Sequence, residues 1–183
     1  IYSISAKILI KEGDSYRNKS ITPTSDVMEL ATINLTSLFD NEMEILKSKS
    51  LIKKAVTDLG LYITHVQKRK FRYDLEFYKN SPVQVYMTPE DAEKLPGNVN
   101  VLMRYDGTEL NAQISYTDTK GSFVILDQKF AELPAALPTD VGVITFTPSP
   151  DYVATHPIEL TATVTRPQNA AARFRGRMSV SPI

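Results

Sequence analysis

The chain of 183 residues has no cysteine, no tryptophan and only two histidines, His65 and His156. Without thiols it can hold neither a disulfide framework nor a cysteine-ligated zinc or iron–sulfur site. That absence assigns no compartment, because exported and cytosolic chains without cysteine look alike. Net charge is missing too: 21 Lys and Arg balance 21 Asp and Glu. No overall field therefore draws the chain to nucleic acid or to an anionic membrane. No apolar run approaches the ~18 residues that a membrane-crossing helix needs, and no signal peptide opens the sequence. The chain starts at Ile1 inside a strand pattern and stops in SVSPI, which reads as the beginning of another element. It is expected to be a piece of a longer protein.

What is present is periodicity. In YSISAKILIK, Tyr2, Ile4, Ala6, Ile8 and Ile10 share one face, the period of a half-buried strand. A polar loop at 12–25 leads to Ser25, which suits the cap of a helix over 26–37 with Val27, Leu30 and Ile33 or Asn34 inward. Asn41 and Glu44 then form a capping-box-like start, with Met43 and Leu46 as the apolar side. That phase breaks at KSKS, where Ser48 or Ser50 can cap a second helix whose inner side is Ile52, Val56 and Leu59. Gly60 suits the left-handed residue beyond that helix, with Leu61 folding back.

From residue 62 the period is two. Phe71, Tyr73, Leu75 and Phe77 alternate with charge, and Val83, Val85 and Met87 follow a proline. Val99, Val101, Met103 and Tyr105 lead through Asp106-Gly107 into Leu110, Ala112, Ile114 and Tyr116, a predicted hairpin. A Lys120-Gly121 turn, FVIL, VGVITF and finally Ile158, Leu160, Ala162 and Val164 complete the strands. Pro167 opens a helix expected over 168–178. The predicted fold class is α+β: a small mixed sheet packed by short helices, with a sandwich- or barrel-like β insertion. The predicted division is an α/β base made of 1–61 and 158–183 around a β-rich insertion at 62–157. The strands 1–10 and 158–165 are expected to share the base sheet.

Reactive constellations are hard to find. His65 and His156 lie far apart without a carboxylate or cysteine at ligand spacing, and read as solvated loop histidines. TKGS at 119–122 lacks the upstream glycine of a phosphate loop and reads as a turn. Asp91 and Glu93 follow Thr-Pro, as acidic residues in a first helical turn do. KRKFR at 68–72 interleaves base and aromatic, but its Arg72 continues into Asp74 and Glu76, a mixed solvated strand face rather than a nucleic-acid surface. Arg173 and Arg177 are four apart on the last helix, with Arg175 elsewhere; they are either a polar face or a contact for an anionic polymer or a neighbouring subunit. No catalytic, cofactor-binding or metal-binding residue is assigned, and nucleic acid is not an expected partner.

The stretch NEMEILKSKSLIKKAVTDLGL, at 41–61, resembles the Wzz-type chain-length determinant domain, especially that of Wzc-like polysaccharide co-polymerases, the bacterial tyrosine autokinases. The family's "NEIEILKSR" run, second helix and "LGL" are similar to residues 41–49, 50–58 and 59–61. Its "YxNSPxxV" resembles Tyr78, Asn80, Ser81, Pro82 and Val85, and its closing "RLSVSP" resembles 177–182, with Met178 in place of leucine. The order agrees over almost the whole chain, although 88–165 match only as a β-rich region. The resemblance implies a domain on the periplasmic side of the bacterial inner membrane, held between two membrane helices. It implies control of capsular or exopolysaccharide chain length and export, with no enzymatic activity in this piece. Implied partners are copies of the protein in a ring-shaped oligomer, the polysaccharide polymerase and the outer-membrane export machinery, with the polysaccharide itself as a further candidate. A cytoplasmic tyrosine kinase follows the domain in the autokinases, and no Walker A sequence is present here. The competing reading is a carbohydrate-binding β module of a cell-envelope protein, which would need exposed aromatic platforms. An enzyme ranks third.

Overall fold

The computed structural model describes residues 41, 43–69, 73–150, 152 and 157–179. The chain divides into two units, Ile1–Glu42 and Met43–Ile183. Three helices and nine strands of the described residues belong to the second. The expected strand at 1–10, its place in a sheet with 158–165, and the helix at 26–37 lie outside the described residues.

The unit opens with a helical turn at 43–46, which stops where the serines begin. Ser48 is extended, and its hydroxyl accepts the Leu51 amide hydrogen at 3.3 Å, satisfying one of the unpaired donors at the start of helix α1, Lys49–Asp58. At the other end Gly60 takes φ 69°. The Leu61 amide donates to Val56 (2.9 Å) and the Gly60 amide to Thr57 (3.1 Å), which closes the helix's last carbonyls as the sequence predicts. Only Ile52 and Val56 are buried on α1. Leu59, expected on the inner side, is 50% exposed. The helix ends one residue earlier, so Leu59 is its cap and leaves the inward stripe; Leu61 turns in instead.

The strands are β1 Ile63–Gln67, β2 Leu75–Phe77, β3 Val83–Tyr86, β4 Val99–Tyr105, β5 Leu110–Thr117, β6 Phe123–Phe130, β7 Ala135–Thr139, β8 Gly142–Pro148 and β9 Ile158–Val164. Helix α2, Pro89–Lys94, lies between β3 and β4, and α3, Pro167–Arg175, follows β9. A six-stranded sheet has the order β2-β1-β9-β4-β5-β6, and a three-stranded one the order β3-β8-β7. Every described pairing is antiparallel, and neither sheet closes into a barrel. The fold is therefore α+β, with two antiparallel sheets and short helices. Strand β9, assigned to the base by sequence, lies between β1 and β4 and is hydrogen-bonded to both.

Alternation is sharpest in the centre of the large sheet. Val99, Val101, Met103 and Tyr105 of β4, Leu110, Ala112, Ile114 and Tyr116 of β5, and Ile158, Leu160, Ala162 and Val164 of β9 all point into the core. Val83, Val85, Ile144 and Phe146 from the small sheet complete the same apolar cluster. The β4–β5 hairpin pairs Tyr105 with Leu110, and Asp106 Oδ1 receives the amide hydrogens of Thr108 (3.0 Å) and Glu109 (2.8 Å). Those two backbone donors hold the Asp106 carboxyl below its usual range. Gly142, at φ 131°, opens β8 against α2; a Cβ there would sit 2.7 Å from the Asp91 Cβ. The last helix ends at Arg175 with Gly176 as its cap, sooner than its expected limit at 178.

The packing of α1 yields a paired expectation. Ile52→Asp places an unpartnered charge in the core and should cost several kcal/mol, enough to unfold a unit whose total stability is ~5–15 kcal/mol. Leu59→Asp, on the exposed cap, should move the melting temperature by no more than about 2 °C. Thermal melts followed by circular dichroism distinguish the two, and equal losses in both variants would contradict the burial pattern of α1.

Candidate functional site: a basic cleft between two helices

His65 is not a solvated loop residue. It occupies the centre of β1, opposite Phe77 on one side and Ala162 on the other, and is 3% exposed. The sequence signal for β1 is weak because ITHVQ has few apolar residues, yet β2 and β9 flank it on both edges. The ring points across to the small sheet, where Nε2 accepts the Val85 amide hydrogen at 2.9 Å. The neutral ring therefore carries its proton on Nδ1, which has no partner among the described residues. Burial alone pushes the imidazole pKa down from 6.5 to about 4. His156 lies outside the described residues.

The turn at 119–122 is filled by its own carboxylates. Asp118 Oδ1 receives the amide hydrogens of Lys120 (2.8 Å) and Ser122 (2.7 Å), and Asp140 Oδ2 that of Thr119 (3.2 Å). A phosphate loop offers those amides to its ligand; here they are already bonded to negative groups. The Tyr116 hydroxyl donates to Asp140 at 2.8 Å. That bond holds the Asp140 carboxyl below its usual range. Burial, and then Asp140, push the phenol up to about 12.

Asp91 and Glu93 are on α2, as expected, with the Asp91 amide capped by Thr88 at 3.2 Å. Glu93 reaches Lys53 of α1, Nζ to Oε2 3.1 Å, an ion pair whose angle does not make an aligned hydrogen bond. Of KRKFR, Lys68 and Arg69 are exposed beyond β1 and the other three residues lie outside the described ones.

The cations of the last helix have a different arrangement from the expected one. Arg173 and Arg175 fall in the final turn of α3, whereas Arg177 comes after the helix has ended. Arg175 is the residue that faces α1. Between α1 and α3 runs a cleft of about 750 Å³. Lys49, Ser50 and Lys53 form one wall, Gln168, Asn169 and Arg175 the other, and Ala171 and Ala172 keep it open. Among the described residues no carboxylate lines it, although Lys53 is held by Glu93 of α2. Arg166, whose guanidinium donates to the Leu95 carbonyl, anchors the start of α3 against the end of α2. The alanines at 170 and 171 are buried in the apolar core, on a helix that packs against α1. Three cationic side chains, two carboxamides and a hydroxyl suit an anionic or polyhydroxylated partner. Sequence reasoning found Arg175 without its companions, because Lys49 and Lys53 join it only through the packing of helices at opposite ends of the described chain.

A pH dependence follows from His65. Its folded pKa lies below its unfolded value, so the unfolded chain binds the proton more tightly. The stabilisation is complete above pH 6.5 and declines as pH falls through the window from 6.5 to about 4, by on the order of 3 kcal/mol in all. The fall in melting temperature between pH 7.5 and 4.5 should be smaller in His65→Gln than in the parent chain. Parallel curves would mean that another group carries the acid sensitivity.

No protein-family model, no curated protein and no solved structure matches this chain.

Proposed function

We propose that the chain is a Wzz-type domain of a polysaccharide co-polymerase, working on the periplasmic side of the bacterial inner membrane. In this reading it sets the length of an exported capsular or exopolysaccharide by assembling with copies of itself and by contacting the polymerase and the export machinery. The domain supplies surfaces and carries out no reaction. What supports the reading most is that the segments carrying the resemblance hold one another. The Tyr78 hydroxyl of the "YxNSP" stretch donates to the Leu59 carbonyl of "LGL" at 3.1 Å.

The neighbouring residues have structural reasons to be what they are. Ser81 is fully buried, and its hydroxyl donates to the Val83 carbonyl at 2.8 Å. Pro82 is also buried, and its carbonyl receives the Ser149 amide hydrogen at 2.9 Å, binding the start of β3 to the end of β8. Arg177 and Met178 come directly after α3, the helix that packs on α1. Leu59, Gly60 and Leu61 close α1 itself. No helix of the described residues is long and apolar enough to cross a membrane. In this reading, anchoring falls to segments beyond this piece. The α1–α3 cleft is the surface we assign to partner contact, since Lys49 and Arg175 line it without an ion pair among the described residues, whereas Lys53 is paired with Glu93.

The test is genetic and chemical together. Deleting the gene that encodes this chain should abolish the preferred length of the exported polysaccharide, seen as loss of modal banding on a gel. A Lys49→Glu, Arg175→Glu variant of the full protein should shift the modal length while keeping its expression and melting temperature. An unaltered length distribution in the deletion strain would end the reading. An unaltered one in the cleft variant alone would remove the cleft from it.

A further inference from the structure

The large sheet ends in β6, and that edge differs from the others. Strand β2, at the opposite end, is only three residues long, Leu75–Phe77. In the small sheet, β7 carries Pro138 and β3 spans only Val83–Tyr86, with the Val85 amide already taken by His65. Short length, proline and an occupied amide are the usual ways in which a sheet edge avoids pairing with another chain. Strand β6 has none of these three; of the other devices it carries only the charges of Asp127 and Lys129. It runs Phe123–Phe130, contains no proline or glycine, and among the described residues is paired on one side only, with β5, along its whole length. Its inward-facing positions, Val124, Leu126, Gln128 and Phe130, hold no charge. Its outward face presents Phe123 at 68% exposure and Ile125 at 56%.

We propose that β6 is a self-pairing edge: two copies of the chain join β6 to β6, antiparallel and centred on Gln128, to make one continuous sheet about a two-fold axis. The charge pattern selects this register. Opposed residues in an antiparallel pair share a face. Centring on Gln128 puts Asp127 opposite Lys129 of the second copy, twice by symmetry. It also puts Leu126 opposite Phe130 of the second copy on the inner face, where both are only half-buried in one chain. Shifting the centre to residue 127 opposes the two aspartates, and shifting it to 129 opposes the two lysines. Within one chain Asp127 accepts from the Gln113 amide at 2.9 Å and Lys129 pairs with Glu109 at 2.6 Å. Neither is exhausted, because a carboxylate has a second oxygen and an ammonium has three donors. The pairing stands on the sheet edge and owes nothing to the polysaccharide reading.

The test uses charge reversal and a register-specific cross-link on the 183-residue chain. In sedimentation velocity up to millimolar concentration the parent chain should show a reversible dimer. Asp127→Lys and Lys129→Asp should each weaken it by roughly tenfold, and the double reversal should restore it to within about twofold. Facing Cα atoms in such a pair lie about 4.5–5.5 Å apart, within disulfide range. Gln128→Cys should therefore oxidise to a covalent dimer far faster than Thr108→Cys, a control on an exposed turn of a protein with no other thiol. Circular dichroism melts check that each variant is folded. A parent chain monomeric throughout, single reversals without effect, a double reversal that fails to restore, or equal oxidation of the two cysteine variants would each overturn the proposal.

Discussion

Within the apolar core that the two sheets share, one buried acceptor joins them directly. Strand β3 gives one edge to β8, and its other edge faces the interior, where the Val85 amide would be a buried donor with no water to receive it. Such an orphan costs about 1–3 kcal/mol. Nε2 of His65 removes that cost and, in doing so, fixes the height of the small sheet over β1. The Tyr62 hydroxyl, just before β1, donates to the Met87 carbonyl just beyond β3 at 2.7 Å. The Thr165 amide in turn reaches the Tyr62 carbonyl, so α3 enters from the same junction. The helices that form the cleft are thus positioned by a polar seam inside an otherwise apolar core. Burial pushes the Tyr62 phenol up to about 12, so its hydroxyl keeps the proton it donates.

This seam explains why some elements can be read from sequence and others cannot. Strands β4, β5 and β9 each bury one face against the core and show the other to water, so period two is written in their residues. Ser48, Thr88 and Gly60 act within a few residues of their own position, and local chemistry predicts them. Strand β1 is different. Its inward residue is a histidine, chosen for an acceptor atom rather than for apolar area, and only the fold reveals the amide it serves. Strand β7 reads AALPT, with a proline that argues against a strand until its edge position is known. Leu59 fits the helical stripe by spacing and leaves it because the helix ends first.

The candidate site was legible in the same uneven way. The arginines of α3 stood out as a cluster, but the cleft also needs α1, and no spacing rule connects the two helices. Polar side chains that could suggest chemistry are instead employed in holding the fold. Asp118 and Asp140 close a turn, Glu93 pairs with Lys53, and His65 joins two sheets. What stays open to a partner is the cleft where Lys49 and Arg175 stand without an ion pair among the described residues.

The place of β9 has a consequence for how the chain reaches this structure. Strands β1 and β4 never pair with each other; each is bonded to β9 instead, Ile63 and Val99 both meeting Val164. Before β9 arrives, the large sheet exists as two separate pieces, β2-β1 and β4-β5-β6. Strand β9 follows β1 to β8 in the chain, so those strands wait with two incomplete apolar faces until it slots between them. Long-range closure of this kind is slow and leaves sticky surface uncovered in the meantime. The hairpins of β4, β5 and β6 can form early and locally, whereas the helices of the cleft can meet only after β9 is home. The surface assigned to partner contact thus forms only after the large sheet has closed.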